Sequence, residues 1–225
     1  FKQLLMISGF ERYYQMARCF RDEDLRADRQ PEVTQIDVEM SFVDRDDVMD
    51  MMEAMILHVL REVKGIEVPS PIEKLTYDEA IDRFGSDKPD TRFGMEICDL
   101  TAYVGASEFR VFADTAAQGG VIRGINVEGG ASFTRRQIDQ LSEGAVAMGA
   151  KGLMWLAIQE DQVRSPIAKF LKTAELEAIQ DALGGKAGDL LLLAAGQREL
   201  VSDVLGRLRL SLGKELGLID ESLFN

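Results

Sequence analysis

The clearest pattern in the chain is a strict alternation over residues 34–42. Thr34, Ile36, Val38, Met40 and Phe42 fall on one face, and Gln35, Asp37, Glu39 and Ser41 on the other. This predicts a half-buried antiparallel strand with its apolar set turned to a core. The polar set then forms a floor that carries two carboxylates. The stretch from Tyr13 that ends in Cys19-Phe20-Arg21 predicts the partner strand, so residues 13–42 read as a hairpin. Its connection, from about Asp22 to Val33, is far longer than the ~2–5 residues of an ordinary hairpin loop. Pro31 and the interleaved arginines and carboxylates suggest a loop that orders around an anion. A solvated charged loop is the other reading.

Elsewhere the period is helical. Phe1–Ser8 reads as the end of a helix with Gly9 as its terminating glycine, so the chain is expected to start inside an element and to be a piece of a longer protein. Asp44–Lys64 is a predicted helix with Asp44, Asp46 and Asp47 at its start and Gly65 after its end. Val48, Met51, Met52, Met55, Val59 and Val63 form its apolar stripe. Thr76 and Glu79 make a capping box for a short helix that stops at Gly85. The polar turn Ser86–Asp90 suggests a domain boundary that divides 1–90 from 91–225.

Beyond it, residues 109–113 and 121–127 predict strands, and Gly129-Gly130 a turn. Residues 132–148 predict a helix with Thr134 and Gln137 as its capping box. An apolar strand with Trp155 follows over 152–158. A helix is predicted to begin at Ser165-Pro166, with proline at its first helical position. Residues 189–195 predict another apolar strand and 197–212 a last helix. Strands that alternate with helices imply an α/β arrangement for this second region.

Composition narrows the function classes. The 225 residues are 46% apolar, enough for a real core, and carry a net charge of −13. That charge argues against nonspecific adhesion to nucleic acid, and DNA is not an expected partner. It leaves room for RNA held by a local basic patch. No apolar run approaches the ~20 residues needed to span a bilayer, so no membrane partner is expected. The two cysteines make no disulfide framework, which suggests a reducing cytoplasm. The single histidine, His58, lies in the Met-rich helix, and no metal-ligand spacing occurs within this chain.

Phe20-Arg21-Asp22-Glu23 at the end of one strand, followed by Gln35-Ile36-Asp37 inside the next, resembles the second signature motif of class II aminoacyl-tRNA synthetases. The longer run Phe20-Arg21-Asp22-Glu23-Asp24-Leu25-Arg26-Ala27-Asp28-Arg29-Gln30-Pro31-Glu32 is similar to the bacterial-type aspartyl-tRNA synthetases. The similarity extends from Phe1-Lys2-Gln3-Leu4-Leu5-Met6 to the last residue. It implies an α+β fold: part of a class II antiparallel-sheet catalytic core over 1–90, then an α/β insertion domain over 91–225. A similar domain occurs in the B subunit of the tRNA-dependent amidotransferase.

The resemblance also implies a chemistry. L-aspartate and ATP would form aspartyl-adenylate, and the aspartyl group would pass to tRNA-Asp, with tRNA-Asn left open. Mg2+ is expected for the whole enzyme, which the resemblance implies is a cytoplasmic homodimer. Arg21 would bridge the aspartate carboxylate and the α-phosphate; its alternative is a salt bridge to Asp37 or Glu39. Glu23 would accept from the adenine amino group, and Asp22 and Gln30 would complete the ATP contacts. Asp37 would meet the substrate ammonium and Lys2 its side-chain carboxylate, unless Lys2 is simply an exposed helix residue. Asp24, Arg26 and Arg29 would lie where the tRNA acceptor end arrives, or be solvated. Val33 departs from the pattern, because the family usually has a phenylalanine there that stacks on adenine.

The first and third class II motifs and an anticodon-binding barrel are not found, so this segment alone is not expected to aminoacylate. A class II paralogue that forms an adenylate for another acceptor, and a noncatalytic tRNA or protein interaction module, are the competing readings.

Overall fold

The computed structural model describes residues 1–25 and 29–223. They form two compact units, Phe1–Glu73 and Lys74–Asn225. Both combine helices with an antiparallel sheet, which makes the chain α+β.

In the first unit, helix α1 (Lys2–Ile7) precedes strands β1 (Arg12–Phe20) and β2 (Glu32–Met40), and helix α2 spans Arg45–Val59. Gly9 at φ 100° turns the chain out of α1. The two strands pair antiparallel with Tyr13 opposite Glu39, Gln15 opposite Asp37 and Cys19 opposite Val33. One face therefore collects Gln15, Ala17 and Cys19 with Val33, Gln35, Asp37 and Glu39. The other collects Tyr14, Met16 and Phe20 with Ile36, Val38 and Met40.

The predicted alternation holds up to Met40 and fails at Phe42. The Ser41 N–H donates to the Glu11 carbonyl at 2.9 Å, and Phe42 then turns at φ 59° and stands 99% exposed. That turn releases Asp44 to cap α2. Its carboxylate accepts from the Asp46 and Asp47 N–H groups while Asp47 accepts from the Asp44 N–H. A wider final turn, Leu60–Lys64, continues α2 to Gly65 at φ 67°.

Met51 and Met55 of α2 line an apolar groove with Ile36, Val38 and Met40. The cover is partial. Val48, Val59 and Val63 of the predicted stripe are exposed, and no described residue of the first unit is buried.

The second unit holds α3 (Tyr77–Phe84), β3 (Cys98–Asp99), α4 (Thr101–Val104), α5 (Arg110–Ala117), β4 (Val121–Val127), α6 (Arg135–Ala147), β5 (Met154–Ile158), β6 (Val163–Arg164), α7 (Thr173–Ala182), β7 (Leu190–Gly196) and α8 (Arg198–Glu215). Its sheet runs β3-β4-β7-β5-β6, and every pairing is antiparallel. The α/β expectation is corrected here for a topological reason. β4 and β5, joined through α6, do run parallel, but they are not neighbours. β7 fills the slot between them, as in a split β-α-β unit.

Leu190, Leu192 and Ala194 of β7 pack toward α6 and α8, and Leu191 and Leu193 toward α5 and α7. Burial on both faces explains its unbroken apolar run.

The second compact unit begins at Lys74, and within it α3 packs on α8. Gly85 takes φ 72°, and a Cβ there would lie 2.8 Å from the Gly206 Cα. Arg198 reaches Asp78 at 2.7 Å and Asp82 at 2.8 Å. Arg123, buried in the sheet, reaches Asp82 at 2.8 Å and the Ser202 hydroxyl at 2.9 Å.

Two element predictions are corrected. Residues 109–113 start a helix, not a strand. Phe109, Phe112 and Ala116 face the core at helical spacing while Val111 is exposed, and five residues are too few to separate the two periods. The helix expected at Ser165-Pro166 begins at Thr173 instead. The Ser165 hydroxyl donates to the Trp155 carbonyl at 2.6 Å and accepts from the Ile167 N–H, which makes a local turn there. Among the described residues, no helix is long and apolar enough to cross a membrane.

Candidate functional site

The polar face of the hairpin carries the site. Alternation along β2 puts Val33, Gln35, Asp37 and Glu39 on that face, and the register brings Gln15 across from Asp37. Helix α1 then delivers Lys2 over the floor. Its Nζ lies 2.8 Å from Asp37 Oδ1 and 2.7 Å from Glu39 Oε1. Gln15 Nε2 donates to Asp37 Oδ2 at 3.1 Å. The Asp37 side chain is only 13% exposed, and both of its oxygens have donors.

The electrostatics follow from this arrangement. The hydrogen bond from Lys2, then that from Gln15, holds the Asp37 carboxyl below its ordinary value. Asp37 and Glu39 push the Lys2 ammonium above its ordinary value. Both shifts favour the charged forms of Lys2 and Asp37. The arrangement thus sets an ammonium and two carboxylate groups side by side on one face of the hairpin, able to exchange partners with a zwitterion that brings its own ammonium and carboxylate.

Arg21 continues the alternation of β1 beyond Phe20. Its N–H donates to the Pro31 carbonyl at 2.7 Å, which extends the ladder by one residue pair. By that alternation its Cβ stands on the same side as Gln15 and Cys19. The guanidinium is exposed and, among the described residues, forms no ion pair, so the alternative salt bridge to Asp37 or Glu39 is not made; Lys2 takes both carboxylates.

In the loop, Glu23 and Arg29 approach at 4.0 Å. Asp22, Asp24 and Gln30 are exposed. Arg26 lies outside the described residues. The structure thus brings Lys2, Asp37 and Glu39 together and sets Glu23 near Arg29. Gln15 is the site residue that sequence reasoning missed. Its signal was the odd-numbered phase of β1, readable only once the register with β2 is known. Val33 lies on the site face, where the resemblance expects an aromatic ring. Among the described residues no three His, Cys, Asp or Glu side chains gather as a metal site.

Comparison with known proteins gives the family. A family model described as tRNA synthetases class II (D, K and N) matches residues 1–199. An aspartate--tRNA ligase from Bacillus licheniformis is 56% identical over 226 residues, covering 100% of this chain and 38% of that protein. An aspartate--tRNA(Asp/Asn) ligase from Caldanaerobacter subterraneus is 56% identical over 224 residues, and another from Bacillus subtilis is 55% identical over 226 residues; both have the same coverage. The chain spans 38% of the length of these relatives.

Proposed function

We propose that this chain, which belongs to the class II tRNA synthetases (D, K and N), supplies the amino-acid and ATP-binding hairpin of an aspartate–tRNA ligase. The observation that carries the reading is the Lys2–Asp37–Glu39–Gln15 cluster on the face of the hairpin toward which Arg21, farther along β1, also turns its Cβ. L-aspartate presents one ammonium and two carboxylates. Asp37 accepts from the ammonium, and Lys2 leaves its carboxylate partners in part to meet the substrate side-chain carboxylate. A point cation opposite a carboxylate also selects against the neutral amide analogue, which would leave Lys2 without its anion.

In the first step the α-carboxylate oxygen attacks the α-phosphorus of ATP, the new P–O bond forms, and pyrophosphate leaves. No protein nucleophile is required, so the chain's contribution is positioning and charge neutralisation. The planar fork of Arg21 spans the attacking carboxylate and a phosphate oxygen and stabilises the charge that develops there. Glu23 accepts from the adenine amino group, while Asp22 and Gln30 complete the nucleotide contacts. In the second step a hydroxyl of the terminal tRNA ribose attacks the aspartyl carbonyl carbon and AMP leaves. Asp24, Arg26 and Arg29 meet the acceptor end. The acceptor is tRNA-Asp, and relatives named for both Asp and Asn make tRNA-Asn the second substrate to assay. Residues 1–90 belong to the catalytic domain and 91–225 to an insertion domain of a cytoplasmic homodimer. Mg2+ would accompany ATP, held by residues outside this set.

The test is aspartate-dependent ATP–pyrophosphate exchange by the whole protein, with Arg21→Ala alongside. Exchange that falls by at least about a hundredfold in the variant is the expected result for a group acting on transition-state charge. A folded wild-type protein that shows no exchange overturns the reading in favour of a binding module.

A further inference from the structure

The second unit carries a cationic cleft that the hairpin chemistry does not use. It is a cavity of about 280 Å³ lined by Arg135, Ile138, Trp155, Arg164, Ser165 and Pro166. The guanidinium carbons of Arg135 and Arg164 each lie 5.8 Å from the centroid of the Trp155 ring, within cation–π range. Trp155 itself is only 6% exposed, so the ring is a fixed wall rather than a mobile side chain. Two like charges converge on one aromatic ring in a chain whose net charge is −13.

Their other bonds leave donors over. Arg135 uses Nε on Asp139 at 2.9 Å, an exposed pair along α6. Arg164 offers Nη2 to the Ala131 carbonyl at a long 3.4 Å. Each guanidinium has five N–H donors, and those bonds engage few of them. No carboxylate lines the cleft. Arg135 is also the first residue of α6, capped by Thr134, so the positive end of that helix dipole adds to the same charge.

We propose that this cleft is a phosphate-binding subsite, that its ligand is a backbone phosphate of RNA, and that the two arginines bracket the phosphate while Trp155 fixes their planes. The guanidinium fork matches phosphate oxygens, and an anion between the two cations removes their mutual repulsion. The choice of RNA over a free phosphate rests on the function proposed above. The cleft is open, and exposed arginine tips suit a backbone that arrives along a surface.

The experiment is binding of labelled tRNA-Asp transcript to the whole protein across a salt series, for wild type, Arg135→Ala/Arg164→Ala and Arg135→Lys/Arg164→Lys. Loss of the single bracketed phosphate contact lowers the slope of log K against log[salt] by roughly 0.7–0.9, and raises Kd by roughly 3- to 10-fold at moderate salt. The lysine pair keeps the charges and recovers most of the slope, while ATP–pyrophosphate exchange, which needs no tRNA, stays at the wild-type rate in both variants. An alanine pair with an unchanged salt slope overturns the inference. So does a lysine pair as defective as the alanine pair with the same thermal unfolding as wild type. Inorganic phosphate that protects the arginines from phenylglyoxal while tRNA does not would assign the cleft to a small anion, and also overturns it. Wild-type protein that fails to exchange with aspartate, yet shows the slope change, rejects the proposed function and leaves this subsite standing.

Discussion

Arg209 offers the sharpest test of what holds the second unit together. It lies inside α8, is 1% exposed, and is sandwiched between the rings of Phe84 and Phe93 at 5.0 and 4.0 Å. Nε donates to the Met95 carbonyl at 3.1 Å. Nη2 faces the carbonyls of Asp90, Phe93 and Gly94 at 2.8, 2.9 and 3.0 Å. One side chain thus ties down the whole 90–95 segment, including Met95, which is held at φ 65°. Burial draws the guanidinium below its ordinary value, while Asp90 and Glu96 oppose that shift.

Truncation of Arg209 to alanine removes three N–H donors from buried carbonyls, each charge-assisted bond being worth about 1.5–3 kcal/mol. It also relieves the cost of a desolvated cation. Balancing the two, Arg209→Ala should cost about 3–5 kcal/mol, the range for breaking a buried ionic network. Arg207→Ala on the same helix removes only an exposed pair with Asp203 and should cost about 0.5 kcal/mol. Urea unfolding followed by Trp155 emission reports this unit, because Trp155 is the chain's only tryptophan and lies in its core. If the two variants fell within about 1 kcal/mol of each other at equal m, the carbonyl-clamp argument would be wrong.

Three further outcomes follow from the packing and the charges. Gly206→Ala would place its Cβ 2.7 Å from the Phe84 carbonyl and should destabilise by about 1–3 kcal/mol, whereas Gly144→Ala in α6, with open space at that position, should stabilise by about 0.5 kcal/mol; equal signs in urea titrations would contradict the α3–α8 contact. The Asp90 carboxyl is held below its ordinary value chiefly by the Arg92 hydrogen bond, so its contribution is present above the unfolded-state value of about 4 and is lost as pH falls below it. Asp90→Asn should therefore flatten part of the stability loss on acidification below about pH 4, and an unchanged acid profile would refute this. Finally, Val33→Phe restores a ring on the site face and should lower the KM for ATP about 5-fold in pyrophosphate exchange, with the KM for aspartate unmoved; an ATP KM that stays put or rises would remove Val33 from the adenine site.

Local signals were legible in the sequence wherever neighbours along the chain decide the outcome. The capping boxes at Thr76 and Thr134 formed where their spacing placed them, because each bond closes within three residues. The alternation of β2 put Asp37 and Glu39 on one face, because pleating depends on the backbone alone. The order Lys2, Arg21, Glu23, Asp37 was equally plain as a motif.

What the sequence could not supply was pairing at a distance. It did not show that Lys2 would take both Asp37 and Glu39, or that Gln15 would complete Asp37, since that depends on the strand register and on where α1 lands. It misread residues 109–113, where burial of Phe109 and Phe112 against α7 and the sheet settles a period that five residues leave ambiguous. Nor did it show that α3 lies with α8, more than a hundred residues away, through Gly85, Gly206 and the Arg198 ion pairs. And it left the strand order open, where β7 slips between β4 and β5. Local hydrogen bonds and periodicity are properties of a segment. Register, strand order and ion-pair partners belong to the folded chain, because they are chosen by which apolar faces are buried against one another.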